Sequence, residues 1–483
     1  MTDAIEIPGC GCSACMAAAN DGGDATVSTA GTAVSDYTAI LAYTSSDNFR
    51  WNGATDIGTG TVVTYSFTEA ADLPLLADSD PYGASAYWSY TKAQRQNFRD
   101  AMDLFEAAAG IKFVEVEGTG MINAFGADVS GVGGWANYAN SSAGNTGQGY
   151  FVNAYQNMGP GDYGFQVILH EMGHALGLSH SHEGDYVLDG ALDTQANTVM
   201  TYNIDYPYTT ELGVFDVQAL QDIYGDGSDM LGWSVDLDVQ DRVVIRASAL
   251  AEVIQSTDQT TVILAKAGND TVYGREWSDI ALGQNGADTI WGYDGNDTLR
   301  GGNDDDLLYG DEDSTYRGDD DAVLGGAGAD TIHGGGGNDR LIGGSEDDTL
   351  YGGDGDDRIF GGTENDYIEG GGGDDRILGQ DGDDTIYGGD GSDIMVGGTG
   401  ADVFIFDWND VYTEANTITD FENGIDVLDF SVYGTEAGLQ YQHLAITDIS
   451  GVHTHISVNG WDLDLTLRNF NMADLDASDI LFA

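Results

Sequence analysis

Residues 352–378 read GGDGDDRIF, GGTENDYIE and GGGGDDRIL, three nonapeptides in one unbroken register. Each opens on paired glycines, has aspartate at its sixth position (Asp357, Asp366, Asp375) and an apolar residue at its eighth (Ile359, Ile368, Ile377). Glycine permits tight turns and close approach of backbone carbonyls. The short piece around the apolar residue has strand alternation, which turns that side chain inward. Working outward, the aspartate recurs at Asp270, Asp279, Asp288, Asp297 and Asp306, then at Asp321, Asp330, Asp339, Asp348, Asp357, Asp366, Asp375, Asp384, Asp393 and Asp402. The step is nine throughout, save one of 15 that holds a six-residue insertion around Ser314 to Arg317. The unit G-G-x-G-x-D-x-U-x is the pattern of a parallel β-roll. Two units make one coil of 18, so each aspartate is expected beside its partner 18 positions on, as Asp339 beside Asp357.

Residues 262–405 carry 29 Asp and 5 Glu against 7 Lys plus Arg, a net of −27, within a chain of 483 residues at −67. That charge excludes nucleic acid, whose binding rests on clustered Lys and Arg, and an anionic membrane surface. No apolar run reaches the ~18 residues of a membrane helix. Hard carboxylate and carbonyl oxygens point to Ca²⁺, several ions held between adjacent coils. Without the cation the segment is expected to be expanded, so binding and folding are one event. With 71 Gly but 5 Pro, collagen is excluded. The cysteines are Cys10, Cys12 and Cys15, so no disulfide is expected beyond the first 15 residues. The opening MTDAIEIPGCGCSAC lacks the basic and apolar regions of a cleavable secretory signal.

A different chemistry is written at residues 170–180, HEMGHALGLSH. His170 and His174 are one helical turn apart on one face, a spacing that suits two imidazoles on one Zn²⁺. Gly177 breaks the helix and lets His180 supply a third ligand. Three protein ligands leave an open position for a water of lowered pKa, and Glu171 stands beside it as the general base. Around this motif, Thr61 to Phe67 reads as a strand. Thr91 to Gly110 reads as a helix with a Thr91/Gln94 capping box. Ile111 to Glu117 and Gly149 to Asn153 read as strands, and Phe165 to Leu176 and Phe215 to Tyr224 as helices ended by Gly177 and Gly225. Gly133 to Tyr138 reads either as an edge strand that pairs with an extended substrate or as an ordinary loop.

H-E-x-x-H-x-x-G-x-x-H followed by a methionine turn, here Val199-Met200-Thr201-Tyr202, is the metzincin signature. With the glycine–aspartate repeats, the chain resembles the serralysin-type zinc metalloproteases, extracellular bacterial endopeptidases. The resemblance implies an α+β metzincin catalytic domain, then an all-β parallel β-roll and a β-sandwich-like C-terminal region. It implies that Met200 underlies one catalytic Zn²⁺, and that Tyr202 is an additional zinc ligand that swings away to help stabilise the oxyanion. For Tyr202 the alternative is a buried aromatic. Arg50 to Asn52, Val63 to Phe67, Glu115, and Asp216 to Gly225 also match the family's order. Asp420 to Ser431 resembles its C-terminal segment, which implies export by a type I secretion apparatus with an uncleaved C-terminal signal, ending here in Asp479 to Ala483.

The expected organisation is a leader at 1–35, the protease domain at 36–225, a junction at 226–262, the calcium roll at 263–405 and a C-terminal β segment at 406–483. The expected function is a secreted, monomeric zinc endopeptidase acting on proteins and peptides, folded by calcium outside the cell. Its rival is a non-enzymatic calcium-binding surface or adhesion protein with a protease-like domain. Two features depart from the family. Ser181-His182-Glu183 lengthens the segment after His180 by two residues, which makes His182 a competing ligand. Pro8-Gly9-Cys10-Gly11 partly resembles the cysteine switch of matrix metalloproteases, in which a thiolate fills the open zinc position. Cys10 is thus a latency ligand or part of a merely disposable leader.

Overall fold

The computed structural model describes residues 32–34, 59–69, 86–128, 134–136, 149–153, 155–181, 186–188, 191–202, 206–311, 318–406, 415–431, 441–449, 451–458 and 464–482. Cys10, Cys12, Cys15, His182 and most of the expected leader lie outside these residues. The chain divides between Asp241 and Arg242 into two compact units.

The first unit holds β1 (Thr32–Val34), β2 (Thr61–Phe67), β3 (Ala86–Trp88), α1 (Lys92–Ala108), β4 (Ile111–Glu115), β5 (Ile122–Asp128), β6 (Gly134–Ala136), β7 (Gly149–Asn153), α2 (Tyr163–Ala175), β8 (Tyr186–Leu188) and α3 (Val214–Tyr224). One mixed sheet runs in the order β4-β2-β5-β7-β6, with β3 on β5. β4, β2, β5 and β7 are parallel, while β3 and β6 are antiparallel to their neighbours. β2 is central and buried at all seven positions, which suits its β-branched and aromatic composition. β1 pairs separately with β8.

α1 starts where its capping box places it. The Thr91 hydroxyl accepts from the Gln94 amide at 3.3 Å, and the Gln94 side chain accepts from the Thr91 amide at 2.9 Å. Its inner face, Phe98, Ala101, Met102 and Phe105, packs on β2 and α2, with Phe98 edge-on to Phe67 at 5.5 Å. α2 is buried on every side, the mark of a central helix. The glycines read as helix stops are also contact points. The Gly110 amide donates to Gly225 O at 3.0 Å, and a Cβ on Gly110 would lie 2.3 Å from Tyr224 O.

The second unit is two long parallel sheets whose strands alternate along the chain. One carries strands such as Thr349–Asp354 and Tyr367–Gly372, the other Arg340–Ser345 and Arg358–Thr363. Partners are 18 residues apart, as Leu350 with Ile368 and Leu341 with Ile359. Across the insertion the spacing becomes 24, as Leu299 with Val323. Every apolar eighth-position residue from Val272 to Phe404 points inward and is at most 2% exposed, Ala281 included. The same register reaches back into the expected junction, where Val243–Arg246 pairs with Thr261 to Leu264 and Val253–Gln255 with Thr271 to Tyr273. The two sheets also run forward, outside the nine-residue step, because Ala415–Ile418, Asp464–Leu467, Val427–Asp429 and Ile480–Leu481 extend them in parallel. Leu444–Ile449 and His453–Val458 add an antiparallel hairpin.

Outside one sheet Tyr273, Trp291, Tyr309, His333 and Tyr351 form a ladder of parallel rings, with centroids 4.7–5.6 Å apart. The parallel register puts like positions directly over one another, so aromatic residues at one repeat position must stack. Burial in this stack holds the His333 imidazole below its usual pKa, so the ring is neutral at pH 7.

Candidate metal centre

His170 and His174 project from one face of α2, their rings edge-to-face at 4.9 Å. The helix then stops at Gly177, whose φ of +95° is open to glycine at little cost. The Leu178 amide folds back onto Gly173 O at 2.8 Å, and this reversal delivers His180. The His180 ring lies 5.3 Å from that of His170 and 4.5 Å from that of His174. The candidate ligand atoms of the three lie within 4.8 Å of one another, and all three residues are buried.

Main-chain carbonyls orient these rings. His170 Nδ1 donates to Val199 O and His174 Nδ1 donates to Leu178 O, each at 2.7 Å. A carbonyl can only accept, so each Nδ1 holds the proton and each Nε2 presents a lone pair to the centre. His174 Nε2 and His180 Nε2 converge to 3.0 Å, and the Tyr202 hydroxyl reaches His180 Nε2 at 2.9 Å. Glu171, next to His170, is 2% exposed. Tyr163, two turns earlier on α2, is pushed above the usual phenol range, chiefly by burial, with the Glu171 charge among the smaller causes.

Met200 is fully buried, and a Cβ on Gly173 would stand 2.5 Å from its sulfur. The fourth residue of the H-E-M-G-H run is therefore a glycine because the methionine lies against it. Ser181 opens the lengthened segment, where its hydroxyl donates to Asp193 at 2.5 Å. β6 is the last strand of its sheet among the described residues, the place the edge-strand reading requires.

Sequence reasoning missed Asp216. Its fully buried carboxylate accepts from the Thr198 hydroxyl at 2.6 Å and from the Val199 and Gly213 amides at 2.8 Å each. It thereby holds the turn whose Val199 carbonyl orients His170. Burial pushes its pKa up to about 7, against the pull of these donors. The available signal was its place at the third position of α3, where an acid reaches back to the helix start. Asp216→Ala is expected to leave buried donors unmatched at about 1–3 kcal/mol each. Zinc affinity should fall with it, as seen in a thermal melt and a competitive zinc titration. Unchanged zinc affinity would remove Asp216 from the support of the centre.

The fifteen repeat aspartates are all buried, at most 3% exposed. From Asp288 onward one carboxylate oxygen accepts the amide of the aspartate one coil earlier, as Asp339 N–H to Asp357 Oδ1 at 2.7 Å, while Asp270 and Asp279 accept the amides of Glu252 and Thr261. The other oxygen of Asp357, like those of Asp288 and Asp339, has no hydrogen-bond partner. It faces Gly352, where a Cβ would lie 2.3 Å from Asp357 Oδ2 and 2.2 Å from Gly370 O. Two buried acceptors turned to one spot suit a shared cation. Burial, reinforced by neighbouring aspartates, pushes Asp321 up to about 9 and Asp297 and Asp339 to about 8. The rows run past Asp402, because Asp426 and Asn416 accept the amides of Asp402 and Asp393 in the same way.

The metallopeptidase family M12B reprolysin-like model matches residues 83–181, which contain all three histidines and Glu171. The RTX calcium-binding nonapeptide repeat model matches five stretches between 282 and 404, the first at 282–316 and the other four covering 317–404. Among curated relatives, serralysin A of Dickeya chrysanthemi is 28% identical over 203 residues, 37% of this chain and 41% of its own. Serralysin C of the same organism is 26% identical over 260 residues, 47% and 51% of the two chains. The serralysin of Proteus mirabilis is 27% identical over 244 residues, 41% and 48%. The chain is serralysin-like and carries RTX repeats. It spans about half the length of these relatives, or less. A solved subunit of the Azotobacter vinelandii mannuronan C5-epimerase is 31% identical over 27% of this chain and 79% of its own, with a TM-score of 0.23.

The metallopeptidase match implies zinc and the repeat match implies calcium. This serralysin-like chain has residues that fit both. Three buried imidazoles converge, with the proton directed to Nδ1 on two of them, and the aspartate–carbonyl oxygen pairs suit a hard cation. Among the described residues no helix is long and apolar enough to cross a membrane.

Proposed function

We propose that the chain is a secreted zinc-dependent endopeptidase, built from a metzincin-type catalytic domain and a calcium-folded RTX roll that ends in a β-sandwich-like segment. The observation that carries this reading is the convergence of His170, His174 and His180 beside Glu171 and Tyr202. Zinc bound by the three histidines would supply Lewis-acid chemistry at the scissile carbonyl. Glu171 takes a proton from the attacking water and passes it to the leaving amine, so the carboxylate is regenerated each turnover. The Tyr202 hydroxyl, poised on His180, donates to the oxyanion when it swings off that ring. Asp216 holds the turn whose Val199 carbonyl orients His170, and Met200 packs against Gly173 of the histidine helix. β6 pairs with an extended substrate, which makes backbone rather than one side chain the common element of recognition. Proteins and peptides are the substrates. Calcium-linked folding suits an extracellular enzyme exported unfolded by a type I apparatus, as the serralysin likeness suggests.

The test is casein hydrolysis by the protein in millimolar calcium with one equivalent of zinc. Activity that disappears when a chelator strips the zinc at fixed calcium, and returns with added zinc, is the expected result. A folded, zinc-loaded protein that leaves casein and denatured proteins intact would sink the proposal.

A further inference from the structure

Four of the seven Lys and Arg in residues 262–405 stand on the outer face of one sheet. Arg340, Arg358 and Arg376 follow the aspartates of three successive coils and lie directly opposite one another in register. The repeat most often holds threonine at that position, as at Thr298, Thr349 and Thr385, so the fold does not ask for arginine there. Two residues on runs a second column, Leu324, Ile342, Phe360, Leu378 and Val396, closed at one end by Arg300. These five apolar side chains are half-buried, while all four arginines are exposed.

Like charges directly opposite one another across a sheet destabilise it. Among the described residues none of the three stacked arginines has an ion-pair partner. Asp356 and Asp374, the exposed acids two residues before Arg358 and Arg376, each spend an oxygen on the turns, accepting the amides of Asp374 and Ser392 at 2.9 Å. No carboxylate stands in either column of these strands. Arg340 lies over the Phe360 ring at 5.5 Å, which ties the two columns together. The other sheet differs, since its matching positions hold Thr349, Tyr367 and Thr385, then Tyr351, Glu369 and Tyr387. In a chain of net charge −67 the arginines and their apolar neighbours form a basic, partly apolar stripe with a fixed step.

We propose that this stripe docks an amphipathic α-helix of another protein, with an acidic residue on each turn over the arginines and apolar residues over Ile342, Phe360 and Leu378. Neighbouring strands are about 4.8 Å apart, which sets the step between the arginines. Turns of an α-helix are about 5.4 Å apart, whereas same-side residues of an extended strand are about 6.6 Å apart. Three helical turns therefore meet three arginines with a mismatch of about 1 Å, within the reach of their flexible stems. Each guanidinium presents a planar fork that a carboxylate fills at two points. The apolar column favours a peptide over a bare linear polyanion, because it is covered only by apolar side chains laid against it. This binding needs no peptidase activity, so it is tested apart from the metal centre.

The experiment is fluorescence anisotropy on the full chain at saturating calcium, with a labelled helical peptide that carries glutamate once per turn and leucine beside it. The same peptide with lysine for glutamate, and polyglutamate, are the comparison probes. The test variant combines Arg340→Thr, Arg358→Thr and Arg376→Thr, which restores the commonest residue of the repeat at each position. Tyr367→Thr, at the matching position of the other sheet, is the control. The parent is expected to bind the acidic helix, and the triple variant about tenfold or more weakly, since three exposed charge pairs are lost. The control should keep the parental affinity, and added salt should weaken binding to the parent. Both comparison probes should bind more weakly than the acidic helix. Circular dichroism checks that each variant folds. Should the triple variant fail that check, Arg358→Glu alone, which reverses the central charge, decides. A parent that leaves the acidic helix free, a folded variant with parental affinity, or a lysine peptide that binds as tightly overturns the proposal. Polyglutamate that binds as tightly overturns it too, and assigns the stripe to a linear polyanion.

Discussion

Glu171→Ala is expected to abolish casein hydrolysis while leaving the bound zinc in place. General acid–base catalysis by a positioned group contributes about 10²–10⁴-fold, and Glu171 serves the proposed reaction twice, accepting and then returning the proton. Glu171 is not one of the three converging histidines, so the metal content of the variant should match the parent. Nor does it cap α2, which begins at Asp162 two turns earlier. Removing a carboxylate that is 2% exposed should hold the melting temperature level or raise it, because burying a charge costs stability. The measurement is kcat/KM on casein beside zinc content and a thermal melt. A variant that keeps more than a tenth of parental activity would take the general-base role away from Glu171. Lost zinc would instead make the residue part of the site's architecture.

Stripping calcium at pH 8 is expected to dissolve the roll, and lowering the pH of the stripped protein to 5 is expected to restore much of its order. The repeat aspartates are shifted up by burial, to about 6 for Asp288 and Asp384, about 7 for Asp330, Asp357 and Asp366, about 8 for Asp348 and Asp375, and about 9 for Asp321. The unfolded value is 3.8, so the folded metal-free roll binds protons more tightly than the unfolded chain. Its stability is therefore fullest below about pH 4 and is lost as the pH climbs through 6 to 9. Calcium reverses the sign, because it binds the deprotonated carboxylates and competes with protons. Calcium affinity should fall as the pH drops through the same window. Urea unfolding followed by the β signal in circular dichroism tests the first half, and calcium binding measured at each pH tests the second. Metal-free protein with a higher urea midpoint at pH 8 than at pH 5 would show that these carboxylates are not what unfolds the roll.

Much of this was legible in the chain because the signals are local. A nine-residue period names its own architecture, since every coil repeats one turn chemistry and one inward side chain. Thr91 with Gln94 located α1, and the i, i+4 histidines with Gly177 located the three converging imidazoles, because helical spacing and a left-handed glycine act over one or two turns. Asp216 was not legible. It acts on Val199, 17 residues away in sequence, through a fold that no local pattern encodes. Asp426 escaped for a related reason, being 24 residues beyond Asp402 and outside the nonapeptide rhythm. The backward extension of the roll to Val243 was hidden because that part has the register without the glycines.

The sequence by itself determined the period of the roll, the three histidines that converge in the candidate metal centre and the class of cation that the repeats imply. Each of these depends on residue type at short spacing. Only the tertiary structure decided which carbonyls orient His170 and His174, which buried acid braces the methionine turn, and that the row of carboxylates passes unbroken through the insertion. Those facts depend on segments distant in sequence being packed to within a hydrogen bond, and a register between coils becomes visible only once the coils are stacked.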